Sequence, residues 1–133
     1  SLVGEHLSQD NMNQAVENIS NELKVQINEF TVAGFREEKY FAHHWYLACD
    51  EPIDKEVAIK KIDEHLKVLN DDYRVEREEA LSNLYIDILP THVFYDFMEK
   101  TGKIGGATKF PRVLKGKRYD DWKDYISSMN LEK

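Results

Sequence analysis

Six basic side chains, Lys103, Lys109, Arg112, Lys115, Lys117 and Arg118, fall between positions 103 and 118, a stretch that contains no acid. The rest of the chain is acidic: residues 1–102 carry a net charge of −11 and residues 119–133 of −2, against +6 here. Clustered cations concentrate phosphates and other anions; the plainer alternative is a solvated basic loop. Within the stretch, Gly105-Gly106-Ala107-Thr108-Lys109 places glycines where backbone N–H groups can approach an anion closely. Pro111 stiffens the chain behind Lys109. The chemistry this supports is a loose loop with one anchored lysine, suited to charge that develops transiently on phosphate. It is not a nucleotide P-loop, because that motif needs Ser or Thr after its lysine and Phe110 stands there.

Other reactive side chains carry less. His43 and His44 are neighbours in a predicted strand, so their rings point to opposite faces and cannot readily share a metal. No Cys/His/Asp cluster has zinc spacing, and no metal site is expected. No Ser/His/Asp or Cys/His arrangement can be assigned. Asp71-Asp72 and Asp120-Asp121 read as solvated helix ends.

With 133 residues, 41% hydrophobic and 32% charged, the chain has the size and composition of one soluble domain, residues 1–133. No apolar run approaches the roughly 20 residues that span a bilayer, and no signal peptide opens the chain, so no membrane partner is expected. The single cysteine, Cys49, favours a reducing, cytoplasmic setting and reads as a small buried hydrophobe. The acidic balance, with positive charge too local to track a backbone, argues against nucleic acid.

The elements that must position the basic stretch follow from periodicity. Leu2-Val3 reads as the end of a strand. Ser8 is a helix N-cap with Asp10 in the first turn, and Met12, Ala15, Val16, Ile19 and Leu23 form the apolar face. Val25–Phe35 reads as extended, with a change of face near Glu29 that predicts a bulge or a twist. A turn over Arg36–Lys39 leads into an aromatic strand, Tyr40–Cys49. A long helix entered at Pro52 and Asp54 carries Ala58, Ile62, Leu66, Leu69 and Tyr73. Unbroken to Ala80 it would measure roughly 40 Å. Leu84–Leu89 is a further strand, stopped by Pro90. A short helix capped by Thr91 ends at Gly102, and a last helix spans Tyr119–Ser128. The order predicts an α+β fold: a small antiparallel-rich sheet of split βαβ, ferredoxin-like order, with helices on one face and extra C-terminal helices. On these residues alone, a free-standing small-ligand or anion-binding regulatory domain stays open.

Three stretches stand out in order along the chain: Leu2-Val3-Gly4-Glu5-His6-Leu7-Ser8, Leu69-Asn70-Asp71-Asp72-Tyr73-Arg74 with Arg77, and Thr108-Lys109-Phe110-Pro111-Arg112. Together they resemble the C-terminal domain of the auxin-responsive Gretchen Hagen family of acyl-acid amido synthetases, members of the adenylate-forming superfamily. Thr108 stands where the family often has Tyr, Ala107 where Gln is common, and His6 where Lys is frequent. The resemblance implies a lid domain that rotates on a larger N-terminal adenylation domain of the same polypeptide. Such enzymes use ATP, with Mg2+, to adenylate a carboxylic acid and release pyrophosphate; an amino acid's amine then attacks the acyl carbon and expels AMP. Carried over by position, Lys109 is the catalytic lysine that reaches the nucleotide phosphates, and Arg112 assists at the nucleotide or anchors the loop. Tyr73, Arg74 and Arg77 are expected to hold the end of the long helix. The isolated fragment is expected to be inactive and to hold no cofactor tightly.

Overall fold

The computed structural model describes residues 7–102 and 109–129. Leu2, Val3 and the residues up to His6, the stretch from Lys103 to Thr108, and the last four residues lie outside them.

Helix α1 (Gln9–Leu23) starts where expected, with the Ser8 side chain accepting from the Asn11 N–H at 3.1 Å. It buries Met12, Ala15, Val16 and Ile19 and ends at Lys24, which sits in the left-handed region at φ 56°. That conformation crowds any β-carbon and is normally left to glycine. Lys24→Gly is therefore expected to stabilise the chain by about 0.5–1 kcal/mol, read as a raised urea midpoint. A lowered midpoint would mean that the lysine side chain contributes more than its backbone costs.

Strand β1 (Glu29–Glu37) begins four residues later than the sequence pattern implied. The change of face near Glu29 marks the start of the strand rather than a bulge; the register irregularity lies instead between Phe41 and Ala42. Strand β2 (Tyr40–Ala48) returns antiparallel, with Glu37 opposite Tyr40, so Glu38 and Lys39 alone form the turn and Glu38 takes the left-handed conformation at φ 57°.

The long helix is broken. Helix α2 (Lys55–Leu69) and helix α3 (Asp71–Glu79) meet at Asn70, whose extended backbone (φ −148°, ψ 113°) ends one and starts the other. The Asn70 side chain accepts from the Tyr73 N–H at 2.9 Å and donates to Asn11 Oδ1 at 2.9 Å. Asn followed by two acids is an N-cap signature that outweighs the continuing apolar stripe.

Strand β3 (Leu81–Leu89) lies beside β2 and parallel to it, and Leu84, Ile86 and Ile88 share one face as predicted. Helix α4 (Thr91–Thr101) follows and ends at Gly102 with φ 78°. Its first N–H, that of Thr91, donates to Asp50 Oδ1 at 2.9 Å, so the cap comes from a distant carboxylate rather than from Thr91 itself. Strand β4 (Val113–Leu114) is only two residues long and pairs parallel with Val32 and Ala33. Helix α5 (Gly116–Ser128) starts three residues earlier than its apolar spacing indicated.

The α+β class holds. The sheet has order β3-β2-β1-β4 and is mixed, antiparallel at the central hairpin and parallel on both flanks. The βαβ unit formed by β2, α2, α3 and β3 is not split, because no strand lies between β2 and β3. Helices also cover both faces rather than one. Ile19, Ile62, Leu66 and Tyr73 pack with Phe30, Val32, Trp45 and Leu47 on one side. Phe94, Phe97, Trp122 and Ile126 pack with Ala33, Tyr46 and Ala48 on the other.

Candidate functional site

Lys109 stands at the edge of the second core. It is exposed and makes no ion pair with a described carboxylate. The residue after it is fixed. Phe110 is 1% exposed and packs edge-on against Phe94 and Trp122, with ring centroids 4.9 and 5.0 Å away. Such aromatic contacts add about 0.5–1.5 kcal/mol per pair beyond the area they bury. Two residues further, the Arg112 carbonyl accepts from the Val32 N–H at 2.9 Å, which starts the β4 pairing.

The Arg112 side chain points inward. Its Nη1 donates to Glu29 Oε1 at 2.6 Å and to the Phe30 carbonyl at 3.2 Å, and its guanidinium lies 4.3 Å over the Phe30 ring. Glu29, 7% exposed, also accepts from the Tyr95 hydroxyl at 3.3 Å. A buried carboxylate is tolerated only when paired and hydrogen-bonded in this way. Sequence alone marks Glu29 only as the point where the apolar pattern changes face; its pairing with Arg112 is decided by the fold. A cleft of about 220 Å³ runs beside this pair, lined by Asn13, Glu17, Ser20, Asn28 and Phe30 among others.

The basic stretch does not act as one patch. Arg112 is neutralised by Glu29, and Lys117 is paired with Asp121 at 2.8 Å. Lys115 and Arg118 are exposed on the approach to and first turn of α5. Lys103 and the Gly105–Thr108 segment lie outside the described residues.

Tyr73 and Arg77 come together on Asp63, as expected of residues that hold the helix end. The Tyr73 hydroxyl and Arg77 Nε each donate to Asp63 Oδ1 at 2.8 Å, and Arg77 Nη1 donates to the Leu81 carbonyl at 2.6 Å. Burial works against the Asp63 charge, but the hydrogen bonds from Arg77 and Tyr73 outweigh it and hold the carboxyl below its usual range. Burial and the same carboxylate push the Tyr73 phenol far up, so it remains a donor. Arg74 is outside this cluster, 50% exposed and 3.8 Å from Asp71.

His43 and His44 face opposite sides, as predicted. His43 is buried, while His44 Nε2 lies 2.7 Å from Asp87, which Lys55 also contacts at 3.1 Å. Burial of Asp87 is again outweighed by its hydrogen bonds, from His44 and Lys55, and its pKa is lowered. Among the described residues no group of three or more His, Cys, Asp or Glu could hold a metal, and no helix is long and apolar enough to cross a membrane.

The model of the GH3 family C-terminal domain matches residues 10–118, most of the chain. The chain belongs to the GH3 family. The GH3 domain also resembles solved structures. A GH3.15 acyl acid amido synthetase shares 16% identity at a TM-score of 0.72, covering 96% of this chain and 25% of the other. AtGH3.15 acyl acid amido synthetase in complex with 2,4-DB shares 14% at a TM-score of 0.65, covering 90% and 23%. At these identities the likeness shows the fold. The GH3 domain spans about a quarter of the length of either neighbour. Comparison with curated proteins finds no match. The family match takes in the Asn70–Arg77 segment and Lys109–Arg112, so both clusters described above belong to the GH3 domain itself.

Proposed function

We propose that this chain is the mobile C-terminal domain of an ATP-dependent acyl-acid amido synthetase, in which Lys109 meets the nucleotide phosphates. The larger enzyme would join a carboxylic acid to ATP as an acyl-adenylate with loss of pyrophosphate, then pass the acyl group to an amino acid with loss of AMP. The N-terminal domain of the same polypeptide, in a cytoplasmic setting, would hold the acid and most of the nucleotide. Family membership and the names of the two solved neighbours support the synthetase part of this reading.

One observation carries the lysine's role. Lys109 is an exposed cation, without a described acid to neutralise it, on a base gripped by Phe110 and Arg112. An ammonium free to meet an anion, on a positioned backbone, fits phosphate chemistry: it can offset charge on the α-phosphate as pyrophosphate leaves. Closure of the domain would keep water from the adenylate. Arg112 serves here as the anchor, since Glu29 and Phe30 already engage its guanidinium. No magnesium ligand is drawn from the described residues. The test is ATP–pyrophosphate exchange in the full-length protein, without amino acid, compared with its Lys109→Ala variant. Undiminished exchange in the variant removes Lys109 from adenylation.

A further inference from the structure

The Glu29–Arg112 pair needs a reason to exist. Replacing a buried ion pair by apolar residues is often neutral or stabilising, so such a pair is a poor device for stability alone. It is, however, a directional one. Glu29 Oε1 takes Arg112 Nη1 at 2.6 Å, Oε2 takes the Tyr95 hydroxyl at 3.3 Å, and Phe30 supplies both a ring face and a carbonyl to the same guanidinium. These contacts come from β1 and α4, whereas Arg112 belongs to the segment that carries Lys109. Three residues of chain reach at most about 10 Å, and between Lys109 and Arg112 lie only the buried Phe110 and the stiff Pro111. Wherever Arg112 is held, the base of Lys109 is held too.

We propose that Glu29 is a positioning residue for Lys109: its carboxylate seats the Arg112 guanidinium on Phe30 and thereby fixes the point from which Lys109 reaches phosphate. This rests on the phosphate role assigned to Lys109 above. A group misplaced by about 1 Å can cost 100-fold in rate, so loss of the seat acts on turnover rather than on substrate binding.

The experiment is ATP–pyrophosphate exchange in the full-length protein, with Glu29→Gln made both in the natural background and in Lys109→Ala. Glu29→Gln is expected to lower turnover about 10- to 100-fold, with the KM for ATP little changed. In the Lys109→Ala background it should lower exchange no further, since residues that act through one another are not additive. Glu29→Asp keeps the charge and shortens the reach; it should show a smaller loss with the same background dependence, and it serves if Glu29→Gln folds poorly. Equal losses in both backgrounds, or no loss in the natural one, overturn the positioning role. If Lys109→Ala itself leaves exchange intact, the phosphate role falls, and the positioning role with it.

Discussion

Lys109→Ala in the full-length protein is expected to slow ATP–pyrophosphate exchange by about 10²–10³-fold, the usual loss when one stabiliser of developing charge is removed. Under the proposed function the effect should be large, since closure of the domain would place the ammonium where water no longer screens it. Folding should be nearly untouched, with unfolding free energy within about 0.5 kcal/mol, because Lys109 is exposed and has no described ion-pair partner. Acyl transfer from preformed adenylate to the amine should be much less affected, since pyrophosphate has already left. Lys109→Arg should recover only part of the loss, because a planar fork does not substitute for a compact ammonium. A variant that loses exchange and folding stability together would point to a structural lysine instead.

Asp63→Ala carries the largest expected effect on stability, about 3–5 kcal/mol. It leaves Arg77 partly buried without its carboxylate and Tyr73 without an acceptor, at the junction of α2, α3 and β3. That is a large share of the 5–15 kcal/mol typical of a domain. Urea unfolding of the chain measures it, and a loss below about 1 kcal/mol would show the cluster to be as weak as a surface ion pair. The pH dependence follows from the sign of the shift. Asp63 has a folded pKa lowered from its unfolded value, as does Asp87, so each contributes stability that is present above the ordinary carboxylate pKa of about 4. That contribution is lost as pH falls through the lowered values. Asp63→Asn should therefore flatten part of the acid-side decline seen in the natural chain.

The residues near one another in sequence were legible. Ser8 capped its helix, Leu84, Ile86 and Ile88 shared a face, and Gly102 ended α4; Tyr73 and Arg77 at a helix end came from the family resemblance and not from local pattern. The break at Asn70 was also legible locally, in the Asn-Asp-Asp run, but the apolar stripe that crosses it argued for continuity. The resemblance carried by Lys109 to Arg112 pointed to the family that the match over residues 10–118 then established.

What periodicity cannot carry is pairing between distant segments. Strand β4 is two residues long and exists only because β1 offers it an edge. Glu29 and Arg112 are 83 positions apart, and Asp63 meets Arg77 across a helix break. A lone carboxylate in an apolar strand looks the same in sequence whether it is solvated or paired, because its cost is set by what faces it after folding. The sequence by itself therefore determined the α+β composition, the start of α1, the end of α4 and a lysine within a basic segment. Only the tertiary structure decided that helices cover both faces, that β3 joins β2 directly, and that Arg112 and Lys117, beside Lys109 in the basic segment, are already answered by Glu29 and Asp121. The reason is physical: local caps and turns are closed by near neighbours, whereas burial and ion pairing depend on which distant surfaces meet.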